Sequence, residues 1–106
     1  MCGIVGAISL KGEMIPSLDQ RLRVMSELVR HRGPDGEGMW MHKKGHMGLA
    51  HRRLSIIDLS PKAAQPMSDG QGNWITYNGE IYNYLELRRE LSTYSFASSS
   101  DTEVIL

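Results

Sequence analysis

The second residue of the chain is its only cysteine. Once Met1 is removed, Cys2 becomes the N-terminal residue and carries a thiol and a free α-amine together. Their ordinary pKa values are roughly 8.5 and about 7.7–8.0. The amine can then act as a base tethered to its own nucleophile, as an N-terminal amine does for threonine. Gly3 beside it lets a ligand approach the backbone closely. Packing is the competing role, because a free cysteine is commonly a small buried hydrophobe.

Three further groups have side chains suited to chemistry. Asn78-Gly79-Glu80 has two readings. Asn-Gly is a type I′ hairpin turn dipeptide, but Glu80-Ile81-Tyr82-Asn83 leads into a helical pattern rather than a second strand. An asparagine amide and a glycine N–H at a strand end can instead aim two donors at one developing oxyanion. In His51-Arg52-Arg53-Leu54, strand alternation puts Arg52 and Arg53 on opposite faces. Only one can enter a pocket, where a carboxylate would suit its planar fork. Asp101 fits either a helix N-cap or a ligand contact. His31, His42, His46 and His51 show no metal-ligand spacing with carboxylates, so no metal is expected.

Elements that could hold these groups follow from hydrophobic period and punctuation. Gly3 to Ser9 reads as a short buried strand. Ser17 is positioned to cap a helix from about Leu18 to Arg30, with Leu18, Leu22, Met25, Leu28 and Val29 at helical spacing. Arg32-Gly33-Pro34-Asp35-Gly36-Glu37-Gly38 reads as loop. Residues 38–42 and 46–51 read as a strand pair joined at Lys43-Lys44-Gly45, and Arg53 to Ile57 as a further short strand. A loop over 59–72 precedes a strand from Asn73 to Tyr77. Tyr82 to Leu91 reads as a helix with Tyr84, Leu87 and Leu91 inward, and Tyr94 to Ala97 as a last strand. Asp101 to Leu106 reads as the start of another helix with no stop signal, so the native chain is expected to continue. Strands outnumber helices and pair as hairpins, which points to the α+β class.

Bulk properties narrow the function classes. A length of 106 residues bounds the chain at one domain. Twelve Lys+Arg balance twelve Asp+Glu; a neutral total gives no support for non-specific nucleic-acid binding. The basic clusters at 30–32 and 51–53 suit a small anionic ligand better than a long polyanion. One cysteine allows no intrachain disulfide, which fits a reducing compartment. No apolar run approaches the ~20 residues of a membrane span, and the first ten residues lack a basic n-region. A cytoplasmic protein with no membrane partner is the expectation.

The blocks then match a known family. Met1-Cys2-Gly3-Ile4-Val5-Gly6 resembles the start of class II glutamine amidotransferases, which are N-terminal-nucleophile hydrolases. Arg30-His31-Arg32-Gly33-Pro34-Asp35-Gly36, His51 to Asp58, Gln65-Pro66, Tyr77 to Asn83 and Ser100 to Ile105 resemble the glutamine-hydrolysing asparagine synthetase branch. All of them stand in family order along the whole chain.

The resemblance implies a four-layer α/β/β/α sandwich of antiparallel sheets, incomplete here, with residues 1–106 as the N-terminal part of the glutaminase domain. It implies that Cys2 attacks the side-chain amide of glutamine to give a glutamyl thioester and ammonia, with its own α-amine shuttling the proton. Asn78 and Gly79 would form the oxyanion hole. Arg53 would bind the α-carboxylate of glutamine, and Asp101 the α-ammonium with Glu80 nearby. Leu54, Ser55, Ile56 and Ile57 would line the pocket, Arg32 to Gly36 would close over the substrate, and Arg52 would be the exposed arginine. The resemblance places ATP and Mg²⁺, which convert aspartate to asparagine with the released ammonia, in a synthetase domain absent here. It implies no cofactor in residues 1–106 and allows a homodimer of the full-length protein. Two alternatives stand beside it: the same glutaminase front end serving a different amidation acceptor, and a catalytically silent fragment.

Overall fold

The computed structural model describes residues 1–55 and 60–106. Among them are five strands: β1 (Gly3–Ile8), β2 (Gly36–Met41), β3 (Met47–Arg53), β4 (Met67–Ser68) and β5 (Trp74–Ile75). Two α-helices accompany them, α1 (Leu18–Leu28) and α2 (Tyr84–Glu90), with single 3-10 turns at Arg30–Arg32, Pro61–Ala63 and Thr102–Ile105.

β3 lies between β1 and β2 in an antiparallel sheet. The register sets Gly3 opposite Arg52 and Glu37 opposite Arg52. Strand alternation then sorts the side chains. Gly3, Gly48 and Arg52 face α1. A Cβ on Gly48 would fall 2.6 Å from Leu22 Cδ1, so the bare backbone there lets the helix seat. Leu18, Leu22 and Ser26 make the buried stripe of α1 at i, i+4 and i+8. The other face carries His51 and Arg53. β4 and β5 form a separate antiparallel pair tied to this face by Trp40 and Trp74, whose rings stack at 4.8 Å. Ile4 and Ile8 on the same face remain exposed.

Several expectations are corrected. Ser17 makes no side-chain cap and sits at φ 54°, in the left-handed region. The α1 pattern stops at Leu28, which is exposed; the chain tightens into the 3-10 turn that leads to the Gly33-Pro34 corner. The strand read as ending at residue 51 runs on to Arg53, because β1 and β2 pair with it on both edges. Only Trp74–Ile75 of the expected 73–77 strand is paired. Tyr94 to Ala97 is no strand. Its chain is held instead by Glu103, whose buried carboxylate accepts the N–H groups of Ala97 and Ser98 at 2.8 Å each. Thr102–Ile105 is a 3-10 turn rather than the first turn of an α-helix.

Candidate active site

Cys2 stands one residue before β1, and β3 ends alongside it. The Leu54 N–H donates to Cys2 Sγ at 3.3 Å, and the sulfur lies 3.6 Å from Leu54 O. Arg32 Nε donates to the Cys2 carbonyl at 3.2 Å. The Gly33-Pro34 loop is sewn to the same place: the Asp35 N–H donates to Arg53 O at 2.9 Å, and Asp35 Oδ2 accepts the Ser55 N–H at 2.9 Å. These bonds fix the thiol against the end of β3.

Arg53 and Arg52 part as alternation requires. Arg53 points to the cavity side and donates through Nη1 to Ser60 O at 2.9 Å. Arg52 is not the exposed residue that the resemblance implies. Its side chain is only 13% exposed and donates to Ser26 Oγ at 2.9 Å, Glu27 Oε2 at 2.9 Å and Glu37 Oε2 at 2.8 Å. It clamps α1 to the sheet, which leaves Arg53 as the member of the pair that lines the cavity with Cys2.

Asn78-Gly79 forms no I′ turn. That turn needs positive φ at both residues, and neither has it. The pair instead follows β5 in an irregular segment. The Tyr77 hydroxyl lies so close to Gly79 that a Cβ there would overlap it. Asp101 makes no side-chain cap on its own turn. It is buried, and its Oδ2 accepts the Ile81 N–H at 2.7 Å. A second oxygen of that carboxylate is left for another donor.

A cavity of about 260 Å³ collects these residues: Cys2, Arg53, Leu54, Ser55, Asn78, Gly79, Glu80 and Asp101 all line it. Ile56 and Ile57 lie outside the described residues. Met1 is exposed and lies at the cavity. The lining also includes residues to which the sequence reading gave no role, among them His51, Gln65, Tyr77 and Thr102. His51 is buried, and its Nδ1 lies 2.8 Å from Thr76 Oγ1. Burial first, then the Arg53 charge, lower its pKa from 6.5 to about 4, so its ring is neutral near pH 7 and adds no charge to the cavity. Its signal in sequence was the His51-Arg52-Arg53 cluster; Gln65 stood in view beside Pro66. Among the described residues no three His, Cys, Asp or Glu side chains gather as a metal site.

The arrangement joins a thiol, an asparagine amide with a glycine N–H, a guanidinium and a buried carboxyl group. The family model described as "Glutamine amidotransferase domain" matches residues 1–106.

The chain belongs to the glutamine amidotransferase domain family.

Relatives of this glutamine amidotransferase domain include an asparagine synthetase [glutamine-hydrolyzing] 1 of Bacillus subtilis (strain 168), 45% identical over 111 residues, which covers 100% of this chain and 17% of that protein. A putative asparagine synthetase [glutamine-hydrolyzing] 2 of Methanocaldococcus jannaschii is 40% identical over 123 residues, covering 100% of this chain and 23% of the relative. A protein called amidase chry2, from Gibberella zeae, is 39% identical over 116 residues, again covering 100% of this chain and 17% of the relative. The chain thus spans only a small part of the length of the curated relatives it matches. No described helix is long and apolar enough to cross a membrane.

Proposed function

We propose that this chain is the glutamine-hydrolysing part of a larger amidotransferase, with Cys2 as its nucleophile. The observation that carries this reading is the single cavity where Cys2, Arg53, Asn78, Gly79 and Asp101 meet. Glutamine presents an α-carboxylate, an α-ammonium and a neutral amide. The cavity offers a guanidinium, a carboxylate and a thiol for them.

Arg53 receives the α-carboxylate, and Asp101 the α-ammonium, with Glu80 nearby. Leu54 and Ser55 line the pocket around them. Once Met1 is removed, the Cys2 α-amine takes the thiol proton and the sulfur adds to the side-chain carbonyl carbon of glutamine. The carbonyl electron pair moves onto oxygen, which accepts hydrogen bonds from the Asn78 amide and the Gly79 N–H. One such donor is worth about 2.7–4 kcal/mol in the transition state. Collapse of this intermediate expels ammonia, which takes the proton held by the amine and leaves a glutamyl thioester. Water then adds to the thioester carbonyl, its proton passing to the amine. The sulfur departs, recovers a proton, and glutamate is released.

The ammonia is assigned to an ATP-dependent conversion of aspartate to asparagine in the full-length protein, a cytoplasmic enzyme with room for a homodimer. ATP and Mg²⁺ would serve that conversion in the synthetase part of the full-length protein. The α-helices and sheets here would be completed as the four-layer sandwich by chain beyond them.

The test is Cys2→Ala in the full-length protein. Glutamine hydrolysis should vanish while synthesis from free ammonia continues. Hydrolysis that persists in this variant sinks the assignment.

A further inference from the structure

Gln65 stands between the Pro61–Ala63 turn and β4, and its main chain is pressed against the sheet. A Cβ on Gly38 of β2 would overlap the Gln65 carbonyl, so Gly38 is where the sheet admits this loop. From that anchor the side chain reaches two other segments. Oε1 accepts the Tyr77 N–H at 2.6 Å, and Nε2 donates to Thr102 Oγ1 at 3.2 Å. A backbone N–H can only donate, so it fixes which end of the amide faces Tyr77.

The two segments are those that carry the opposite ends of the proposed substrate. Tyr77 directly precedes Asn78 and Gly79. Thr102, which is 3% exposed, directly follows Asp101. Asp101 in turn holds the Ile81 N–H at 2.7 Å. The loop of residues 77–81 is therefore pinned at its start by Gln65 and near its end by Asp101.

We propose that Gln65 is a positioning residue that sets the spacing between the oxyanion donors at Asn78 and Gly79 and the ammonium-binding carboxylate of Asp101. This rests on the glutaminase reading above. Glutamine must engage the carboxylate with its α-ammonium while its side-chain oxygen meets the donors. A shift of one segment against the other misplaces the scissile amide relative to Cys2. A displacement of about 1 Å at a reacting centre can cost about 10²-fold in rate. The Cys2 thiol is held by the Leu54 N–H and the Cys2 carbonyl by Arg32, so the nucleophile itself does not depend on Gln65.

The experiment compares Gln65→Met, which keeps the length and removes both bonds, with Thr102→Val, which removes only the second. Both are made in the full-length protein, beside wild type and Cys2→Ala. Steady-state glutaminase kinetics are combined with the stoichiometry of Cys2 labelling by iodoacetamide, which needs neither substrate-binding end. Gln65→Met should lose about 10²-fold in kcat/KM, with KM raised as well as kcat lowered, while labelling stays stoichiometric. Thr102→Val should raise KM, and the double variant should be no worse than Gln65→Met alone. Loss of folded protein would lower kcat and leave KM in place. An unchanged KM in both variants overturns the proposal, and so do additive losses in the double variant. If Gln65→Met does not fold, Thr102→Val decides by the same KM criterion. Hydrolysis unaffected by Cys2→Ala would mark failure of the glutaminase reading instead.

Discussion

Leu54 directs its backbone N–H at the sulfur of Cys2 across 3.3 Å. The bond joins the first residue beyond β3 to the residue before β1. It seats the sulfur beside Arg53 at the cavity and places it where the register of the two strands ends. Removal of Met1 would give Cys2 an amine; the sheet gives it a location.

Asn78 is expected to act in the transition state more than in binding. Asn78→Ala should lower kcat for glutamine hydrolysis by about 10²–10³-fold with a smaller change in KM. Steady-state kinetics of the full-length protein would measure this. A kcat within a few-fold of wild type would remove Asn78 from the oxyanion hole.

His51 should make stability depend on pH. Its folded-state pKa, about 4, lies below its ordinary 6.5. As pH falls, the unfolded chain takes the proton first, so the folded state is favoured above about 6.5 and loses ground down to about 4. The full loss for this group is on the order of 3 kcal/mol. Thermal midpoints of wild type and His51→Gln, followed across this window, should converge toward acid. Parallel curves would show that His51 does not carry the effect.

Arg52 should matter for the scaffold. Arg52→Met removes its bonds to Ser26, Glu27 and Glu37. Glu27 and Glu37 are exposed and can rehydrate, so the expected cost is about 1–3 kcal/mol. Arg52→Lys should recover little of it, because an ammonium cannot reproduce the fork. Amide hydrogen exchange in α1 and β2 is the measurement. Unchanged protection there would contradict the clamp.

Much of this was legible in the chain itself. β1, the core of α1 and the antiparallel class follow from the apolar period. Alternation alone separated Arg52 from Arg53. What alternation could not give was where Arg52 would end, because Glu27 and Glu37 reach it from different elements. Ser17 failed as a cap because the chain enters α1 from a left-handed residue, a local torsion that composition does not encode. The strand expected at Tyr94 to Ala97 was lost to a buried carboxylate from Glu103, a tertiary bond that overrode β propensity. His51 and Gln65 were in view, but their partners, Thr76, Tyr77 and Thr102, meet them only in three dimensions.

The donors contributed by Leu54 and Ile81 come from the main chain, and a point mutation does not delete a peptide N–H unless it introduces proline. At these two positions the genetic text is therefore loosely constrained by the contact itself: many codons preserve the bond. Substitutions there should be tolerated wherever the new side chain fits, while proline alone should be lethal to the contact. A site anchored this way can drift in spelling and keep its geometry.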